Sequence, residues 1–172
     1  MFSDFDHAMM QRALALAEKG LFTTTPNPRV GCVLVHGDTV IGEGYTQPAG
    51  QDHAEIQAIK DAQSRGQDVR GATAYVTLEP CAMCAMALMH ARLKRVVFAA
   101  HDPKTGVAGS VFDLFGMRQL NHHTVVAGGV LADPASRLLK EFFAERRAQL
   151  KAEREAVKVV GGSEEPIPVG LV

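Results

Sequence analysis

His53 and Glu55 stand together in His53-Ala54-Glu55, and Cys81 and Cys84 stand together in Pro80-Cys81-Ala82-Met83-Cys84. One imidazole and two thiols form a three-ligand set for zinc, and a hydrolytic zinc needs three protein ligands plus one open position at which water is activated. Two thiolates and a neutral imidazole cancel the charge of the metal, so removing the water's proton calls for a base close by. Glu55 is the base on offer. A structural zinc would be closed by a fourth Cys or His at similar short spacing, and neither cluster supplies one. The pattern therefore predicts a catalytic zinc held by His53, Cys81 and Cys84 with Glu55 as proton carrier. A purely structural zinc, or two reduced core cysteines, are the plainer alternatives.

These residues must be carried by helix starts. Glu55, two positions from His53, would point elsewhere on a mid-helix surface, whereas at a helix N-terminus both side chains project past the first turn. Ile56, Ala58, Ile59 and Ala62 follow Ala54 at helical spacing, and Cys84, Leu88 and Ala91 follow Cys81, with Pro80 at a position favoured at helix starts. The rest of the chain alternates strand and helix character. Asp4 or Asp6 caps a first helix ending at Gly20, and residues 23–28 read as a loop. Apolar runs at 30–35 and 40–42 form a hairpin across His36-Gly37-Asp38, further strands lie at 74–77, 95–99 and 124–127, and a long helix covers about 134–154. A hairpin followed by strand–helix alternation predicts an α/β fold with a mixed five-stranded sheet covered on both faces. Residues 1–156 form one domain, and 157–172, with Gly161-Gly162-Ser163, read as a flexible terminus.

Composition agrees with a small enzyme: 172 residues, 47% hydrophobic, are ample for a core, and a net charge of −1 does not mark a nucleic-acid binder except through a local basic surface. Three cysteines, two of them assigned to metal, do not make a disulfide framework, so a cytoplasmic location is expected, with Cys32 as a small buried hydrophobe. No signal peptide or membrane span is visible. His7, His36, His101, His122 and His123 lack metal spacing to the two clusters, and Met83, Met86 and Met89 read as a packing stripe.

The signature H-x-E followed by P-C-x-x-C is that of zinc nucleobase deaminases. Two resemblances refine it. Residues 74–154, through Tyr75-Val76-Thr77-Leu78-Glu79-Pro80-Cys81, Asp102-Pro103-Lys104-Thr105-Gly106 and Phe142-Phe143-Ala144-Glu145-Arg146-Arg147, resemble bacterial tRNA-specific adenosine deaminases. Residues 1–80, through Thr25-Pro26-Asn27-Pro28-Arg29-Val30-Gly31-Cys32 and Gly42-Glu43-Gly44-Tyr45, resemble the deaminase domain of the bifunctional riboflavin-biosynthesis enzyme. Both resemblances imply a cytidine deaminase-like three-layer α/β/α sandwich, one Zn²⁺ per subunit, and hydrolysis of an amidine C–N bond with Glu55 moving the protons. They divide on substrate. The tRNA family implies pocket contacts from Asp102, Lys104 and Thr105, anticodon stem-loop contacts from Phe143, Arg146 and Arg147, and a homodimer. It carries an asparagine where this chain has Thr46. The riboflavin family implies a pyrimidine contact from Asn27, but its longer basic loop between the two cysteines is reduced here to Ala82-Met83. Lys140, Lys151 and Arg154 add positive charge to the last helix, while Glu141, Glu145, Glu153 and Glu155 equally fit a solvated face. Three functions follow: deamination of a tRNA wobble adenosine, deamination of a small nucleobase or nucleotide, or an inactive zinc-stabilised hybrid or binding module.

Overall fold

The computed structural model describes residues 1–20 and 26–160. The expected loop at 23–25 and the expected tail at 161–172 lie outside the described residues. Helix α1 (Asp4–Glu18) is capped by Ser3, one residue before Asp4 and three before Asp6, the two expected caps. The Ser3 hydroxyl accepts from the Asp6 N–H at 3.1 Å and the Asp6 carboxylate accepts from the Ser3 N–H at 3.0 Å, a reciprocal capping box. Strands β1 (Gly31–His36) and β2 (Thr39–Tyr45) form the expected hairpin, with Gly37 at φ +60° in its turn. Helix α2 (Ala54–Ser64), strand β3 (Thr73–Leu78), helix α3 (Ala82–His90), strands β4 (Arg95–Ala100) and β5 (Val125–Gly128), and helix α4 (Ala132–Val160) follow. The sheet order is β2-β1-β3-β4-β5, with β1 antiparallel to both neighbours and β3, β4 and β5 parallel.

Small residues let helices press on both faces of the hairpin. A Cβ on Gly31 would overlap the Ala13 carbonyl of α1, whereas Cβ atoms on Gly42 and Gly44 would overlap the Ala58 and Ala54 carbonyls of α2. Gly44 pairs with Cys32, and Gly31 pairs with Tyr45, so the pleat sends these contacts to opposite faces and makes three layers. Val33, Val76, Val96, Val97 and Phe98 are buried between them. A polar clamp ties α1 to β3 and β4: the Asp6 carboxylate accepts from the Tyr75 hydroxyl at 2.8 Å and from Arg95 Nη1 at 2.7 Å.

This packing fixes where the chemistry sits. The start of α2 lies on Gly44, at the end of β2 that pairs with the start of β1. Because β1 runs antiparallel to β3, that end of the sheet is also the carboxyl end of β3, from which the chain turns into Cys81. Three expectations change. Helix α4 continues past 154 through 157–160, since Ala156 and Val157 do not break a helix and Gly161 is the first residue that would. Pro80 stands outside α3, because Cys81 is itself the N-cap. Met83, Met86 and Met89 do not form one stripe: Met83 is 67% exposed and Met89 is buried, because a three-residue step drifts around the helix.

Candidate active site

His53 and Cys81 are the N-cap residues of α2 and α3, both in extended backbone conformation. An N-cap side chain ordinarily bonds its own first turn, yet neither does so here, and both point at each other. His53 Nδ1 lies 3.8 Å from Cys81 Sγ and 3.4 Å from Cys84 Sγ, and the three donor atoms lie within 4.8 Å of one another. A tetrahedral zinc with bonds of about 2.3 Å to sulfur and 2.0 Å to nitrogen sets S···N separations of about 3.6 Å. The triangle fits that ion in spacing and in donor softness. Cys81 accepts the Cys84 S–H and a bond from His53, which against its burial hold the Cys81 thiol down at about 4, while the same bond and burial push Cys84 up. A preformed thiolate is what a metal site requires.

Glu55, in the first turn of α2, is 4% exposed and stands beside both cysteines. Burial pushes its carboxyl above the ordinary carboxylate range. His53, Glu55 and Cys81 form the floor of a cavity of about 600 Å³, and Cys84 is buried behind them.

The cavity walls come from four separate segments. Asn27, Pro28 and Val30 line one side with Thr46, and Asp102, Pro103, Lys104 and Thr105 line another. Leu139, Lys140, Phe143 and Arg147 present one face of α4 at the mouth. Of the residues expected from the sequence, only Arg146 and Cys84 do not line the cavity. Residues 139, 140, 143 and 147 span an arc of about 100° on the helix, and 146 falls just outside it. Thr46 lines the wall, but its hydroxyl accepts the Val30 N–H at 3.0 Å, so it braces the segment before β1. Asp102 likewise turns its carboxylate inward on its own loop, accepting from the Lys104 N–H at 2.9 Å and the Thr105 hydroxyl at 2.5 Å. Lys104 Nζ stands 5.8 Å from the Phe143 ring centre, joining the loop to α4 by a cation–π contact.

Sequence reasoning passed over Glu79. Its side chain is 0% exposed, and its carboxylate accepts from the backbone N–H groups of Asp102 (3.0 Å), Ala108 (2.7 Å) and Ser110 (3.1 Å) and from the Ser110 hydroxyl, with His101 Nδ1 at 3.3 Å. Burial alone would raise this carboxyl, but the Ser110 hydroxyl and the three N–H donors outweigh it and hold it below its usual range. Glu79 hangs the 102–110 loop on the end of β3. The available signal was an acid set between an apolar strand and Pro80.

The model of the "Cytidine and deoxycytidylate deaminase zinc-binding region" matches residues 3–100. The chain belongs to this deaminase family. It is therefore a zinc-dependent hydrolytic deaminase in its fold, its ligand triad and its reaction class. Among relatives of the deaminase, the tRNA-specific adenosine deaminase of Haemophilus influenzae is 43% identical over 163 residues, 91% of this chain and 93% of that protein. The riboflavin biosynthesis protein RibD of the same organism is 44% identical over 153 residues, 85% of this chain but only 39% of that protein. A solved structure from a study of A-to-I editing by tRNA:A34 deaminases at the wobble position of transfer RNA superposes with a TM-score of 0.67 at 32% identity, covering 77% of this chain and 99% of that one. Both resemblances read from the sequence are thus present at nearly equal identity, and the cytidine deaminase-like fold stands.

Proposed function

We propose that the chain deaminates the wobble adenosine of a tRNA anticodon to inosine. The observation that carries this reading is the mouth of the cavity. Lys104, Lys140 and Arg147 surround Phe143 there, while Glu55 and Glu79 lie within, so a neutral base fits inside and its phosphates meet cations outside. The match along nearly the whole length of a tRNA-specific adenosine deaminase supports it.

His53, Cys81 and Cys84 would hold zinc, which supplies Lewis acidity and an activated water. Glu55 takes the proton of the attacking water as its oxygen bonds to the adenine carbon that bears the amine. Glu55 then delivers that proton to the adjacent ring nitrogen and carries the second water proton to the exocyclic amine. The C–N bond breaks, ammonia departs, and the carbonyl of inosine remains. The buried surroundings of Glu55 favour its protonated form relative to an exposed carboxyl, which eases its uptake of the water proton.

A second reading, deamination of a small pyrimidine nucleotide, nucleoside or free base, is supported by Asn27 on the cavity wall and by the RibD match. A homodimer is supported by the exposed apolar side chains Met83, Val111, Phe112 and Met117. A cytoplasmic location accords with three free cysteines, and no helix among the described residues is long and apolar enough to cross a membrane.

The test is ammonia release by zinc-loaded protein on an anticodon stem-loop with wobble adenosine, beside a panel of bases, nucleosides and pyrimidine nucleotides. Turnover of the stem-loop is expected. Turnover confined to small molecules would overturn the proposal in favour of the second reading, and no turnover by zinc-replete protein would mark an inactive hybrid. Light scattering at micromolar concentration should give twice the chain mass.

A further inference from the structure

Arg29 is the most anomalous charged group outside the zinc site. Its side chain is 5% exposed, its Nη2 donates to Glu145 Oε2 at 2.5 Å, its guanidinium lies 5.4 Å from the Phe142 ring centre, and its Nε has no hydrogen-bond partner. A guanidinium buried beside a half-exposed carboxylate, with one donor orphaned, is poor design for stability alone, since an apolar side chain at its position would avoid the desolvation. Its location gives it another use. Pro28 and Val30, on either side of Arg29, line one wall of the cavity, and Phe143 and Arg147, on either side of Glu145, line the facing wall. Phe142 is also the last buried residue on the described part of α4. The lining residues Phe143 and Arg147 therefore begin where the packing of the helix ends.

We infer that Arg29 is a positioning residue: it clasps α4 through Phe142 and Glu145 onto the segment before β1, and so sets the width of the substrate mouth. The clasp links residues 116 positions apart, and touches neither the zinc ligands nor Glu55. It acts on what α4 presents, namely Lys140, Phe143 and Arg147, and rests on the reading of that mouth as a nucleic-acid contact. A substrate confined to the cavity floor should not depend on it, whereas one that spans the mouth should.

The experiment compares wild-type, Glu145→Ala and Arg29→Lys proteins by stem-loop kinetics and by amide hydrogen exchange. Glu145 is 45% exposed on its side chain, so its truncation removes little core volume but leaves the Arg29 charge without its partner, and the melting temperature is recorded beside the kinetics. For Glu145→Ala we expect KM for the stem-loop to rise about tenfold with kcat within about twofold, zinc content unchanged, and faster exchange at 143–157 while β1, β3 and β4 keep their protection. Arg29→Lys, which keeps a positive charge opposite Glu145, should raise KM by less than Glu145→Ala does. Unchanged KM and unchanged exchange at 143–157 would overturn the clasp, as would a fall in kcat matched by loss of protection across the sheet. Should wild type turn over only a small nucleotide, the tRNA reading fails, and exchange at 143–157 alone decides the clasp.

Discussion

Replacing Glu79 with alanine tests whether a single buried carboxylate holds the 102–110 loop. Three backbone N–H groups, of Asp102, Ala108 and Ser110, now end on that carboxylate at 2.7 to 3.1 Å. Removing a charged acceptor costs about 1.5–3 kcal/mol for a hydrogen bond to it, and a stranded donor costs about 1–3 kcal/mol when it stays dry. The loop is only partly buried, so water can reach some of these donors after truncation and the lower figures apply. Three bonds at about 1.5 kcal/mol give about 4.5 kcal/mol, a large share of the roughly 5–15 kcal/mol that stabilises a domain of this size. For a chain of this length about 1 kcal/mol moves Tm by roughly 2–4 °C, so the melting temperature should fall by roughly 9–18 °C. Glu79→Gln keeps the shape and one acceptor but turns an N–H₂ toward the donors of Asp102 and Ser110, so it should fall between wild type and Glu79→Ala. The assay is thermal unfolding of zinc-saturated protein, with amide exchange across 102–110. A Glu79→Ala protein melting within about 2 °C of wild type, with that loop still protected, would refute the reasoning.

Glu55→Gln should keep a full complement of zinc by elemental analysis and lose turnover by a factor of at least about 10²–10⁴, because the ligands remain and only the proton carrier is gone. Gly44→Ala forces a methyl against the Ala54 carbonyl, next to His53, and should displace the start of α2; competition with a chromogenic chelator should show weakened zinc binding, whereas wild-type affinity would mean the helix can yield. Asp6 titrates below its usual range: burial opposes this, but the Arg95 hydrogen bond, the Ser3 N–H and the Tyr75 hydroxyl outweigh it. A depressed folded-state pKa gives stability that is present above the unfolded value of about 3.9 and lost as pH falls through the folded one. Urea midpoints should therefore drop on acidification below about pH 5, and Asp6→Asn should flatten that drop while lowering the plateau near neutrality.

The zinc triangle was legible because it is local. Each ligand cluster lies within one strand-to-helix turn or helix start, and residue type alone says what it binds. The strands were legible for a related reason, since the apolar runs at 74–77 and 95–99 lie within their observed bounds and the run at 30–35 overlaps β1 in all but its first residue. What escaped depends on contacts between distant segments. Nothing near Glu79 in the chain announces that its partners lie 22 to 31 residues onward, and nothing near Arg29 announces Glu145. Thr46 and Asp102 could be placed at the cavity from their motifs, but their hydroxyl and carboxylate are committed to backbone groups that only the folded turns bring close. Ser3 was a different omission: Ser-Asp-Phe-Asp has the spacing of a capping box, and the acids drew attention from the serine.

The division between local and distant contacts is also a division of labour in the molecule. His53 and Glu55 sit on a helix start pressed to the sheet at Gly42 and Gly44, with no room for a side chain between, and Cys81 and Cys84 sit on the start of α3, directly after β3. Lys104, Phe143 and Arg147 sit on a loop that the Glu79 carboxylate and the Val107 N–H to Pro80 carbonyl bond tie to the end of β3, and on a helix whose last buried contact, at Phe142, is joined by the Arg29 guanidinium. Rigid chemistry beneath adjustable walls lets the mouth change without disturbing the metal. The same floor can then serve under a mouth that resembles one deaminase and a side wall that resembles another. On this reasoning substitutions at Glu79, Arg29 or Glu145 alter which substrate is held, whereas those at Gly44 or His53 alter whether any substrate is turned over.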